Sequence, residues 1–236
     1  MKTVKINDTL YKFPESWNEV NIKIFQKINK INELEEFEKL LNLVSLLGNV
    51  PIEELESISF TELNKLYQLI TFTNDKQSDY IAFKTSIGGK EYGLDYEWKT
   101  MKAKTYIDLD SYLSDKDNVI DNLHYIAAIL FRPINKVSKK GYELEEYDYN
   151  KLDENALFML ENMNINQILP ALFFFSNLNQ NLLITTLDSL VPKRKKIRLK
   201  KIQMLILKLK HLVKGGVGLP RFMIWLKTIF EKEKNG

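Results

Sequence analysis

Residues 80–96 read YIAFKTSIGGKEYGLDY, and this stretch decides whether the chain is wholly helical. Ile81, Phe83 and Ile87 precede Gly88-Gly89, and Tyr92 and Leu94 follow it. Two alternating segments about a Gly-Gly pair predict a β-hairpin, because a positive φ costs glycine nothing. Val4 to Phe13 alternates in the same way around Asn7-Asp8 and closes at Pro14, which predicts a further hairpin over 4–13.

Outside these two stretches the periodicity is helical. Ser16-Trp17-Asn18-Glu19 has the spacing of a capping box, with Ile22, Phe25 and Ile28 following. Leu34, Phe37, Leu40, Leu41, Val44 and Leu47 form one apolar stripe over 33–47, ended by Gly48-Asn49 and Pro51. Over 59–72 the inward set is Phe60, Leu63, Leu66, Tyr67 and Ile70. Residues 118–131 read as helix stopped by Arg132-Pro133, and 141–150 as a polar, Tyr-rich loop. Leu152 to Met163 and Leu169 to Leu190 complete the helical region, with a break at Asn179-Gln180-Asn181. The expected class is mainly α with one or two small β-hairpins, an α+β protein.

The 236 residues suffice for one large domain or two small ones. A hydrophobic share of 44% and a charged share of 28% are ordinary for a soluble globular chain. There is no Cys, which excludes disulfide scaffolds, thiol catalysis and Cys-based zinc sites. The opening MKTVKIND has no apolar segment, so no secretory signal is expected. No apolar run of about 18 residues exists, so no transmembrane helix is expected.

The charge is divided unevenly. Residues 193–236 hold 14 Lys/Arg and 2 Glu, against 20 Lys/Arg and 29 Asp/Glu in residues 1–192. An acidic helical body over 1–192 therefore precedes a basic, amphipathic helical arm over 193–236, with the boundary at Val191-Pro192-Lys193. Leu199, Ile202, Ile206, Leu209 and Val213 recur at 3–4 spacing and place one apolar face on the arm. After Gly215-Gly216, a second short helix sets Phe222, Trp225, Leu226 and Ile229 on one side. Lys193, Arg194, Lys195, Lys196, Arg198, Lys200 and Lys201 supply the charge that would dock electrostatically.

Four readings of the arm compete: packing on its own domain, docking on another protein subunit, nucleic-acid binding and membrane-surface binding. Fully burying an aliphatic side chain contributes about 1.5–3 kcal/mol, so the 199–213 stripe offers on the order of 10 kcal/mol before entropy. A lysine at an anionic membrane gains only about 1 kcal/mol. Packing against protein therefore dominates, and the lysines choose partner and register. The chain has only four Arg, which disfavours bidentate phosphate or guanine recognition.

Catalytic and metal signatures are weak. Asp108-Leu109-Asp110 and Asp115-Lys116-Asp117 resemble the start of a calcium loop. Leu113 and Ile120 stand where that loop needs Gly, and Val119 and Ile126 where it needs Glu. His124 and His211 lie apart, with no zinc-binding spacing. Gly215-Gly216-Val217-Gly218 has the GxxG spacing of an RNA-binding loop, but no basic residue stands between its glycines, so it reads as a hinge. Phe173-Phe174-Phe175 has apolar neighbours and reads as buried helix packing rather than a base-stacking platform. No catalytic, cofactor or metal residue is expected.

Four landmarks recur in order: the opening hairpin with Phe13-Pro14-Glu15-Ser16-Trp17; Tyr106-Ile107-Asp108-Leu109; residues 126–133, IAAILFRP; and Leu172-Phe173-Phe174-Phe175. Together they resemble small virion and tail-assembly proteins of tailed phages that infect Bacteroides-type bacteria, including crAss-like phages. The resemblance spans most of 4–190 and leaves the arm unmatched. It implies a non-enzymatic structural or assembly protein in the tail or head–tail connector. Its partners would be other virion proteins and copies of itself, in the virion or in the host cytoplasm during assembly. Nucleic-acid binding through the arm is the alternative.

Overall fold

The computed structural model describes residues 1–31, 34–75, 77–97, 101–115, 118–138 and 141–176. The arm over 193–236 and the boundary at Pro192 lie outside the described residues. The chain divides into one unit of Met1–Phe72 with Gln77–Ala171 and another of Thr73–Lys76 with the residues from Leu172 onward. The first unit carries nearly all that follows.

Its architecture is mixed α and β. The described residues form eight α-helices and two small antiparallel sheets. The first sheet is the expected N-terminal hairpin, β1 (Lys2–Ile6) and β2 (Thr9–Phe13), with Ile6 opposite Thr9 across Asn7-Asp8. Asn7 takes φ 50, a left-handed conformation that asparagine tolerates. A single 3-10 turn, Trp17–Glu19, follows, and then α1 (Ile22–Ile31). The capping box expected at Ser16 does not form: Ser16 makes no side-chain cap bond, and the Glu19 carboxylate accepts the Glu15 N–H at 2.7 Å. Asn21 takes over as the cap of α1, its Oδ1 accepting the Ile24 N–H at 2.9 Å.

Helix α2 (Glu36–Gly48) ends as expected, with Asn49 left-handed and its N–H on the Ser45 carbonyl. Its buried face is Leu43, Val44 and Leu47, and Phe37 is 57% exposed. The apolar stripe thus turns inward only over the second half of the helix. Two further helices follow, α3 (Ile52–Ser57), which the periodicity did not reveal, and α4 (Phe60–Leu69). In α4 Leu63 and Leu66 are buried but Phe60 is 69% exposed, which corrects its expected inward place. Phe60 is the first helical residue. Its neighbour Ser59 opens a full capping box with Glu62, which fixes the helix start by hydrogen bonds rather than by a Phe60 anchor.

The second sheet is larger than the expected central hairpin. Strands β3 (Lys84–Ile87) and β4 (Lys90–Leu94) pair as expected across Gly88-Gly89, at φ 55 and 80. Helix α5 (Ala103–Ser114) and helix α6 (Leu123–Leu130) come next, and then β5 (Phe131–Ser138) and β6 (Gly141–Leu144). The strand order is β3-β4-β5-β6, all antiparallel. Arg132-Pro133 therefore does not lead into a loop, and 141–150 opens with a strand. The residue before proline avoids α geometry, so Arg132 cannot continue α6, and β5 follows directly from Phe131. Pro133 sits opposite Tyr92, and its carbonyl accepts the Glu145 N–H at 2.8 Å. A strand residue points its N and C=O to the same side. The missing Pro133 N–H thus falls on the β6 side, where a bulge between Ile134 and Lys136 already interrupts the ladder.

The core lies between the helices and this sheet. Leu123, Ile126, Ala127, Ala128, Ile129 and Leu130 are all buried, and only His124 and Tyr125 of this helix are part-exposed. Helix α6 packs on α5 and on α7 (Leu152–Asn162). The last described helix, α8, spans 165–176, its residues to 171 belonging to the first unit. It begins at a reciprocal cap: Asn164 Oδ1 accepts the Gln167 N–H at 3.2 Å, and Gln167 Oε1 accepts the Asn164 N–H at 2.9 Å. An Asn21–Asn164 bridge ties the entrance of α1 to that of α8, with the Ile22 N–H on the Met163 carbonyl and the Ile165 N–H on the Val20 carbonyl. Trp17 stands edge-on to Phe25 and Phe72, at 6.0 and 5.4 Å between ring centroids. In the second unit Phe175 is buried and meets Phe174 edge-on, while Phe173 is 39% exposed, so the Phe run is only partly the buried packing expected.

Candidate functional site

A cleft of ≈ 410 Å³ lies in the first unit where β4, β5 and β6 meet the start of α5. Leu94, Met101, Tyr142 and Leu144 contribute its apolar lining, and Asp95, Glu97, Lys102, Arg132, Glu146 and Tyr147 its polar lining.

Tyr142 is the organising residue. It starts on the edge strand β6 and lies against Gly93 of β4, two strands away. A Cβ at Gly93 would stand 2.8 Å from Tyr142 Cδ2 and 2.7 Å from Leu144 Cδ2, so only glycine lets the ring down onto the sheet. The Tyr142 hydroxyl donates toward the Phe83 and Leu94 carbonyls, at 2.8 and 2.7 Å. The Lys84 ammonium sits 5.2 Å from its ring centre, within cation–π range. Tyr96 meets it edge-on at 6.4 Å. Burial, with the nearby Tyr96 and Asp95, pushes the Tyr142 hydroxyl up to about 12.

Behind Tyr142 is an enclosed ion pair. Arg132 on β5 joins Asp95, each side chain 16% exposed, and Arg132 Nη1 donates to the Glu145 carbonyl at 2.8 Å. Burial raises the Asp95 carboxyl above its ordinary range, and the Arg132 charge pulls against that shift. Arg132 Nε is buried with no hydrogen-bond partner in the structure. At the rim Lys102 pairs with Glu146. The Tyr147 hydroxyl donates to Asp108 Oδ2 at 2.8 Å, which fastens the segment after β6 to α5, and burial together with that bond raises its pKa.

These contacts limit the chemistry available. Asp95 is committed to Arg132, Tyr142 to two carbonyls, and Tyr147 to Asp108. General acid–base work near neutral pH favours groups whose pKa lies near 7. Both tyrosines are shifted the other way. What the cleft offers is a mixed apolar and charged surface open to side chains.

None of the sequence-derived candidates is among the described residues that line the cleft. Leu199, Ile202, Ile206, Leu209, Val213, Phe222, Trp225 and Leu226 lie outside the described residues, as do Lys193, Arg194, Lys195, Lys196, Arg198, Lys200 and Lys201. Asp108 and Asp110 are on α5 rather than in a loop. Among the described residues no group of three or more His, Asp or Glu is placed to hold a cation. His124 is half-buried on α6, with Gln26 Nε2 at 3.2 Å from its Nδ1, and burial lowers its pKa. Among the described residues no helix is long and apolar enough to cross a membrane.

A loop over 141–150 hides the cleft from the sequence, because β6 supplies one of its sides. Its signal was present in Gly141-Tyr142-Glu143-Leu144-Glu145, where apolar and acidic residues alternate with period two. No family model, curated protein or solved structure matches the chain.

Proposed function

We propose that the chain is a non-enzymatic structural or assembly protein of a tailed phage, acting by protein–protein contact in the tail or head–tail connector. It works as an oligomer and meets other virion proteins, in the particle or in the host cytoplasm during assembly. The observation that carries this reading is the charge division: 14 Lys/Arg against 2 Glu over 193–236, on a body of 20 Lys/Arg and 29 Asp/Glu. The apolar stripe Leu199, Ile202, Ile206, Leu209 and Val213 gives that basic segment a face to bury against a neighbour. The resemblance of the landmark order to phage tail-assembly proteins points the same way.

Deleting residues 193–236 tests it. The full chain retains its assembly partner in pull-down from phage-infected cells, and the truncated chain loses it. A truncated chain that still assembles overturns the proposal. Nucleic-acid binding is the second reading, favoured by ten Lys/Arg without an acid over 193–214. Phosphate-led binding weakens with a log–log salt slope of about −0.9 per phosphate neutralised on duplex DNA. Steep salt-sensitive retention on DNA with no protein partner favours that reading instead.

A further inference from the structure

The apolar face of α2 runs past the end of the core. Phe37, Leu40, Leu41 and Val44 recur at i, i+3, i+4 and i+7, so they share one side of the helix. Along that side burial falls toward the N-terminus. Val44 is fully buried, Leu40 and Leu41 are half-buried, and Phe37 is 57% exposed. Leu34, just before the helix, is exposed as well. The face is covered at one end and bare at the other.

Unspent acids frame the bare end. Glu35, Glu36 and Glu38 are exposed, and none of their carboxylates makes a hydrogen bond or ion pair with a described residue. Glu36 and Glu38 stand about 100° to either side of Phe37 around the helix, so its ring lies between two free charges. Lys39 is the one cation in residues 34–42, and it turns about 160° away from Phe37. Other exposed apolar side chains have different surroundings. Leu10 and Val137 stand near Lys12 and Lys136 in sequence. Glu62, two residues from Phe60, is held in the Ser59 capping box, and Glu161, one turn from Leu157, is held by Lys23. Free carboxylates repel nucleic-acid phosphate and anionic lipid and attract lysine or arginine. The occupant that fits α2 is a cationic chain segment with an apolar side of its own.

The chain carries such a segment. Residues 193–201, KRKKIRLKK, hold seven Lys/Arg and no acid, and the stripe of Leu199, Ile202, Ile206, Leu209 and Val213 begins within them. We propose that the bare end of α2 is the docking face for residues 193–213 of a second copy of the chain. This rests on the assembly role proposed above, which sends the segment to a neighbour, and it names the surface that receives it. The stripe extends the core over Phe37 and Leu41, while the cations meet Glu36 and Glu38 at the edges and set the register. Contact between different surfaces of two copies is head-to-tail, and it closes a ring or extends a filament according to its rotation.

Photo-crosslinking in the full chain tests this. Phe37 is replaced by p-benzoylphenylalanine, an aromatic of similar shape at an exposed position. Isotope-labelled and unlabelled chains are mixed and allowed to exchange before irradiation. The expected crosslinks join position 37 to residues 193–213 and include mixed-isotope pairs, hence pairs between copies. Glu36→Gln with Glu38→Gln lowers their yield about fivefold at sub-saturating concentration, as the loss of two exposed ion pairs would. Glutamine is used because a lysine in the first turn would oppose the helix dipole. Far-UV circular dichroism stays unchanged, since both side chains are exposed. Crosslinks only within one copy, crosslinks to another segment, or a yield indifferent to the two substitutions overturn the proposal. If the chain assembles through 193–236 and these crosslinks are absent, the α2 assignment fails and the assembly role stands. If deletion of 193–236 leaves assembly intact, the assembly role fails and this assignment falls with it.

Discussion

Gly93 on β4 is the floor on which the Tyr142 ring of β6 rests, and the Tyr142 hydroxyl bonds the carbonyl of the next residue, Leu94, at 2.7 Å. This pair brings the Tyr142 side chain of the edge strand across to β4, beside the cleft. A methyl group at 93 must displace the ring. Gly93→Ala is expected to destabilise the chain by about 1–3 kcal/mol, the usual penalty of overpacking. In a Tyr142→Ala background the same substitution costs less, with only the Leu144 contact left to yield. Urea denaturation of the four chains measures the coupling, and equal losses in both backgrounds contradict the contact.

Gly48 gives a test with an inverted sign. It is the last residue of α2, where alanine would ordinarily stabilise a helix by about 1 kcal/mol. Here a Cβ would enter the Phe13 ring of β2. Gly48→Ala is therefore expected to destabilise, by about 1–3 kcal/mol, and to restore little in a Phe13→Leu background beyond the helix preference. A stabilised Gly48→Ala in thermal unfolding contradicts the packing of the hairpin on α2.

The Asp95–Arg132 pair is nearly enclosed, so removing one partner strands a charge. Asp95→Asn or Arg132→Met alone is expected to destabilise by about 3 kcal/mol, while Asp95→Leu with Arg132→Met together loses less than either single change. Denaturation midpoints of the set decide it. A double variant as unstable as the sum of the singles means the two side chains act independently.

The raised Tyr142 hydroxyl has a defined pH consequence. The folded chain holds this proton more tightly than the unfolded chain, whose tyrosine titrates near 10. The stabilisation is complete below about pH 10 and is lost as pH rises through about 12. Tyrosinate absorbance of the chain minus that of Tyr142→Phe should rise near pH 12. A difference that rises near pH 10 places the hydroxyl in water.

The parts of the fold that were legible in the sequence are those fixed by local chemistry. Asn7-Asp8 and Gly88-Gly89 mark their turns because few residues take those backbone angles. Leu152–Asn162 was legible because the apolar period survives along the helix. Strand β5 was not, since Pro133 reads locally as a stop, and only the bulge and the pairing with Tyr92 make room for it. Phe37 and Phe60 fit the helical period yet lie outward, because the period gives a face and not its neighbour. Ser16 and Ser59 carry the same S-x-x-E pattern, and only Ser59 forms the box. At Ser16 the helix is a single turn and Glu19 is taken by the Glu15 N–H. The cleft depends on pairs distant in sequence, Gly93 with Tyr142 and Asp95 with Arg132, which no local window contains.

The central claim is that the apolar stripe of residues 199–213 leads assembly and the lysines only direct it. Sedimentation of the full chain against Ile202→Asp with Ile206→Asp, from low salt to about 1 M, tests it most directly; at 1 M the Debye length falls to about 3 Å and surface charge is screened. The account predicts an oligomer that persists at high salt and is lost in the double variant at every salt concentration. An oligomer that dissolves in salt while the double variant still assembles at low salt contradicts it.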